Sequence, residues 1–297
     1  MKNTKASKIE NIVGYIFLSP WLFGLIFFGL GPLLFSIFLA FAEWDLIVPP
    51  KFIGLGNFIN LLQDDMFWKS FRNTLIFSFS VPIGTFLSLL LAYLMNRPKG
   101  IFSFLRSIYF LPSITPAVAN TVVWVWLLHP TVGVVNFLLK KLFLINGPNW
   151  LGDPNWIIPS LIIISVWGGL GYDIVLFTAG LQAIDPQIYE AAEIDGANKW
   201  DVFFKITLPL ISPTTFFVIV TSFIWSFQVF DISYIATNGR PDEHSLTIVY
   251  YLFQNAFQYF KIGKASAISW VLTAVILLVT YLEFKLEKKY VFYGEGE

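Results

Sequence analysis

Residues 12–41 read IVGYIFLSPWLFGLIFFGLGPLLFSIFLAF, and no charged residue lies between Glu10 and Glu43. A bilayer core about 30 Å thick is crossed by about 20 apolar residues of helix, and this run exceeds that length. It is also too long for a cleaved signal and has no small-residue cleavage site before its end. Five further stretches meet the same criterion: 74–94, 107–128, 156–181, 210–230 and 265–282. Lipid offers no partner to a free N–H or C=O, so each stretch is expected to be helical. The sequence therefore predicts an all-α membrane protein with six transmembrane helices.

Composition agrees. Of 297 residues, 56% are hydrophobic and only 13% are charged, about half the charge of an ordinary soluble domain. The formal net charge is zero, which gives no basic footprint for nucleic acid. Cysteine is absent, which excludes disulfides, thiolate metal sites and cysteine nucleophiles. Two shorter apolar stretches, 132–145 and 246–260, are interrupted by Lys140 and Lys141 in one and by Gln254, Asn255 and Gln258 in the other. Both are expected to lie along a membrane face as interfacial helices.

Positive charge sets the orientation. With the N-terminus inside, eleven of the nineteen Lys and Arg residues fall in the cytoplasm, including Lys2, Lys5, Lys8, Arg97, Lys99 and Arg106. Lys285, Lys288 and Lys289 join them at the other end, so both termini are expected to be cytoplasmic. That arrangement leaves the 182–209 segment in the cytoplasm. Asp185 suits an N-cap, Pro186 the first helical position, and Gly196 the left-handed residue that ends a helix. A short capped helix, a turn and a second helix over about 198–206 follow. Ala191, Ala192 and Ala197 are expected to be exposed together as a small smooth surface, flanked by Glu190 and Asp195.

In this segment the chain resembles the binding-protein-dependent importer permeases. Glu190-Ala191-Ala192, Asp195-Gly196-Ala197, Phe203, Ile206, Leu208-Pro209 and Pro213 match their EAA loop. Gly14-Tyr15 with Ser19-Pro20-Trp21, Phe110-Leu111-Pro112, Phe227-Gln228 with Asp231, and Tyr250-Tyr251 resemble the maltose-type carbohydrate branch. Where that branch usually has Gly-Gly-Pro, this chain has Gly239-Arg240-Pro241, which puts the tight turn there in doubt. The resemblance implies a permease of a bacterial cell membrane, with residues 1–70 as an N-terminal portion, 71–288 as the permease domain and 289–297 as a tail. It implies that Glu190, Ala191, Ala192, Asp195, Gly196 and Ala197 dock on a cytoplasmic ATPase. It also implies as partners a second permease subunit, two ATPase subunits and an extracytoplasmic sugar-binding protein. ATP and Mg would be bound by the ATPase, since this chain has no G-x-x-x-x-G-K-[ST] phosphate loop.

Polar residues at membrane depth mark candidate pathway positions, because a charge there is costly and usually faces a cavity. Asp173 lies in the run Trp167-Gly168-Gly169-Leu170-Gly171-Tyr172-Asp173, whose three glycines predict local unwinding. Asp231, with Gln228 one turn before it, lies at the outer end of the fifth span. Together they are expected to line a path for sugar hydroxyls, with Trp167, Tyr172 and Phe227 stacking on the apolar faces of the ring. Asp242-Glu243-His244 reads as a solvated turn and no metal is expected. The competing reading is a proton-coupled secondary transporter that uses Asp173 as its titrating carboxylate. An intramembrane enzyme would need an acidic or histidine cluster at one interface, which the sequence lacks.

Overall fold

The computed structural model describes residues 5–96, 100–241 and 243–292. Lys2, Arg97, Lys99, Asp242 and the end of the 289–297 tail lie outside the described residues. The regular structure of the described residues is helical apart from a two-strand hairpin, β1 (Ala42–Glu43) and β2 (Lys51–Phe52), paired antiparallel. It divides into two compact units, residues 1–63 with 252–271 and residues 64–251 with 272–297.

The first unit is led by helix α1, which carries the apolar run as Glu10–Ala40. Over Leu25–Leu30 it winds as a π-helix, just ahead of Pro32, whose nitrogen cannot donate to the ladder. Only 6% of its most apolar window is buried, so these side chains require an apolar solvent around them. The short helix α2 (Gly56–Leu62) supplies Asn57, whose Nδ2 donates to Ala40 O at 3.0 Å and Ala42 O at 2.8 Å. The first bond satisfies a carbonyl that the end of α1 leaves open, and the second ties Asn57 to β1.

The second unit holds helices α3 (Asp65–Met95), α4 (Gly100–Ile114), α5 (Ala117–Leu127), α6 (Val134–Phe143) and α7 (Ile157–Gln182). They are followed by α8 (Pro186–Ile194), α9 (Lys199–Leu210), α10 (Ser212–Phe227) and α11 (Asp231–Thr237). Two last helices belong in part to each unit: α12 (Ile248–Phe253), prolonged by a π turn Gln254–Gln258, and α13 (Ile262–Tyr290). The main core of the second unit joins Leu89, Ala92 and Met95 of α3 to Leu170, Ile174, Phe177 and Leu181 of α7, with Ile211 and Val218 closing it.

Among the described residues, four helices are long and apolar enough to cross a membrane unaided, and there are up to six crossings if each of two bent pairs is one span. The third expected span is therefore not a single helix, whereas the body of the fifth is one helix, Ser212–Phe227. Residues 107–128 break between α4 and α5, which meet at 103°. Pro116 sits at that break with φ −52° and ψ 133°, because proline cannot donate to the helix ladder and disfavours helix in the residue before it. The fifth span begins at Ser212, where α9 and α10 bend by 63°.

The expected unwinding at the glycine run does not occur, and α7 is continuous from Ile157 to Gln182. A Cβ on Gly171 would lie 2.2 Å from Tyr109 O and 2.7 Å from Phe110 Cα. The glycine thus permits α4 to approach closely, which is a packing reason and not a flexibility one. Ser113 of α4 strengthens the contact. Its Oγ donates to Gly168 O at 3.2 Å and accepts from Tyr172 N–H at 3.1 Å, two groups one helical turn apart.

The interfacial reading fits α6 better than α12. Phe137, Leu142 and Phe143 of α6 are exposed, while Asn136 is buried and holds Pro130 O, Pro148 O and Trp150 Nε1. In α12, Ile248, Tyr250 and Tyr251 are buried, so protein and not lipid covers that face. A tight turn forms before it with Arg240 in place. Asn238 and Gly239 both take positive φ, and Tyr250 OH donates to Asn238 Oδ1 at 2.7 Å.

Candidate functional site

The 182–209 segment folds from local signals. Asp185 Oδ1 accepts the N–H of Gln187 at 2.9 Å, and Pro186 opens α8. Gly196 takes φ +76°, and Ala197 N–H donates back to Ala192 O at 3.0 Å, the bond pattern that ends helices at a left-handed residue. Asn198 then caps α9, its Oδ1 accepting from Trp200 N–H and Asp201 N–H at 2.9 and 3.0 Å. Two caps in so short a segment leave the hairpin little conformational freedom.

Packing holds α8 on the return helix. Tyr189 OH and Thr207 Oγ1 are 3.3 Å apart, and Phe203 sets its ring edge-on to Tyr93 at 4.8 Å. Ile184 before α8 and Leu208 after it pack on the core of α3 and α7. These contacts tie the two ends of the hairpin to those spans.

One part of the expected surface is corrected. Ala192 is 7% exposed and faces the protein, so the alanine pair is not presented together. The small side chain at 192 lets α8 sit close to its own chain. The outward positions are Glu190, Ala191, Glu193, Ile194 and Asp195, with Ile194 87% exposed. A lone apolar residue between charges gives no periodic signal, so the sequence does not single out Ile194.

The membrane-depth residues divide. A cleft of about 720 Å³ is lined by Tyr172, Asp173, Trp225, Gln228 and Asp231, among others. These residues, far apart in sequence, meet because α7 and α10 pack together, and Gln228 and Asp231 straddle the joint between α10 and α11. Trp167 and Phe227 are not in the lining. Trp167 packs against Tyr109 and Trp124 at 6.4 and 6.1 Å, and Phe227 is buried. Trp225, which the sequence does not single out, is 75% exposed and lines the cleft. It lies two residues before Phe227 on a different face of the helix.

The sequence and fold of this chain have counterparts in known proteins. Residues 84–286 match the family model for the binding-protein-dependent transport system inner membrane component. The probable ABC transporter permease protein YesP of Bacillus subtilis (strain 168) is 35% identical over 302 residues, covering 100% of this chain and 97% of that protein. The lactose transport system permease protein LacF of Rhizobium radiobacter is 33% identical, covering 96% and 98%. A crystal structure of a bacterial ABC transporter involved in the import of the acidic polysaccharide alginate contains a similar chain. It has a TM-score of 0.83 and 26% identity, with 96% and 98% covered. Neither the family nor these relatives lend support to a proton-coupled carrier. The chain belongs to the family of binding-protein-dependent transport system inner membrane components, as a permease subunit of an ABC transporter.

Proposed function

We propose that this permease forms half of the translocation pathway of an ATP-driven carbohydrate importer in a bacterial cell membrane. The observation that carries the coupling part is α8: a short helix capped at both ends, seated by the buried Ala192 and by the Tyr189 hydroxyl, with Glu190, Ala191, Ile194 and Asp195 turned outward. A rigid element of this kind transmits a push from a docked partner to α7, to which it is directly joined, and through α9 to α10. The subunit itself is non-catalytic. ATP and Mg are bound by two ATPase subunits on the cytoplasmic side, where both termini also lie. A second permease completes the pathway, and an extracytoplasmic binding protein delivers the sugar. Support for the carbohydrate class comes from LacF, named as a lactose permease, and from the cleft chemistry. Aromatic faces at Tyr172 and Trp225 stand beside hydrogen-bonding groups at Asp173, Gln228 and Asp231, the combination that sugars with apolar faces and polar rims require.

Reconstitution tests the proposal. Proteoliposomes holding the complete complex are expected to accumulate the sugar eluted from the co-purified binding protein only with ATP on the ATPase side. Asp173→Ala is expected to reduce that uptake while assembly and ATP hydrolysis persist. Uptake that continues without the ATPase subunits and collapses with a protonophore would overturn the proposal.

A further inference from the structure

The cleft has a charge character that bears on which sugars it passes. Its lining holds the carboxyl groups of Asp173 and Asp231, the hydroxyls of Ser80, Ser165, Thr221 and Ser222 and the amide of Gln228, and among the described residues it includes no Lys, Arg or His. None of these lining residues can carry positive charge at any pH. The polar groups are set among apolar and aromatic walls, including Phe77, Val81, Trp225 and Phe230, where charges are poorly screened.

We propose that this cleft selects uncharged or cationic sugars and excludes anionic ones such as uronic acids and sugar phosphates. The inference rests on the reading of the cleft as the pathway and adds a substrate class to it. A carboxylate or phosphate entering the cleft loses hydration and meets no cation in this lining, while an ionised Asp173 or Asp231 repels it. Hydroxyls lose little by comparison, since aspartate and glutamine side chains accept their hydrogen bonds and serine and threonine can donate in return. An amino sugar gains attraction from the same carboxylates. Specificity here arises as much from what the cleft rejects as from what it holds.

The absence of cysteine from the chain makes the cleft potential directly measurable. Ser222→Cys places one thiol in the lining, and Thr221→Cys provides a second position. The assembled complex is treated with 2-(trimethylammonium)ethyl methanethiosulfonate or 2-sulfonatoethyl methanethiosulfonate, and modification of this chain is followed by its mass. After correction for each reagent's rate with a free thiol, the cationic reagent is expected to react at least about tenfold faster, since single-sign clefts concentrate counter-ions by about 10- to 1,000-fold. In the Asp173→Asn, Asp231→Asn background the ratio is expected to fall toward one. A ratio near or below one in the parent, or no reaction at either position, would overturn the inference. Thiol modification requires no ATP turnover. A cationic preference in a complex that shows no ATP-driven uptake would therefore uphold the charge inference while the importer reading failed.

Discussion

Gly171 shows how a residue can mislead when its sequence neighbours alone are read. Three glycines in four positions suggest a weak helix, and in water that reading has force. Here a Cβ at 171 would stand 2.2 Å from Tyr109 O, so the glycine serves the contact with α4, a tertiary relation absent from the local sequence. Propensity and packing make opposite predictions for the same substitution. Propensity alone says that Gly171→Ala stabilises α7 by up to about 1 kcal/mol. Packing says that it destabilises by about 1–3 kcal/mol, because a backbone carbonyl cannot easily retreat. The melting temperature of the purified complex is expected to fall. Ala192 carries the same lesson: its identity was legible but its burial was not, since that depends on how α9 returns. Asp173 was legible as a pathway candidate because a charge within an apolar run is costly unless it faces a cavity, and it does line the cleft.

Among the elements, α8 was the most legible, because caps are local. Asp185, Pro186 and Gly196 lie in or beside the helix itself and need no tertiary knowledge. Removing the cap is expected to cost about 0.5–2 kcal/mol in so short a helix. Asp185→Ala should then raise amide exchange in the first turn of α8 severalfold and weaken uptake, whereas Asp185→Asn keeps a capping oxygen and should change little. Equal exchange in both variants would show that the cap does not hold the helix. The 107–128 stretch was the least legible. Its hydropathy is continuous, and hydropathy averages over a proline. The break at Pro116 follows from backbone chemistry that a window of apolar residues conceals. The distinction between α6 and α12 was equally hidden, since both are short, mixed runs and only packing shows which face meets protein.

For the whole molecule, the membrane class was legible from length and hydropathy, and the permease family from the resemblance in the EAA loop. Mechanical coupling between a cytoplasmic ATPase and the spans, carried by α8, is the central claim. The direct measurement is a pair of single cysteines at Ala191 and Ala192 in the assembled complex. Each is treated with a short bifunctional thiol reagent, and ATP hydrolysis and uptake are assayed in parallel for Glu190→Ala. Crosslinks to the ATPase are expected from the outward position 191 and not from buried 192. Glu190→Ala is expected to lower stimulated hydrolysis and uptake together by about tenfold or more, because an interfacial charge would lose its partner. Wild-type hydrolysis and uptake in Glu190→Ala, with no crosslink from position 191, would contradict the coupling role of α8.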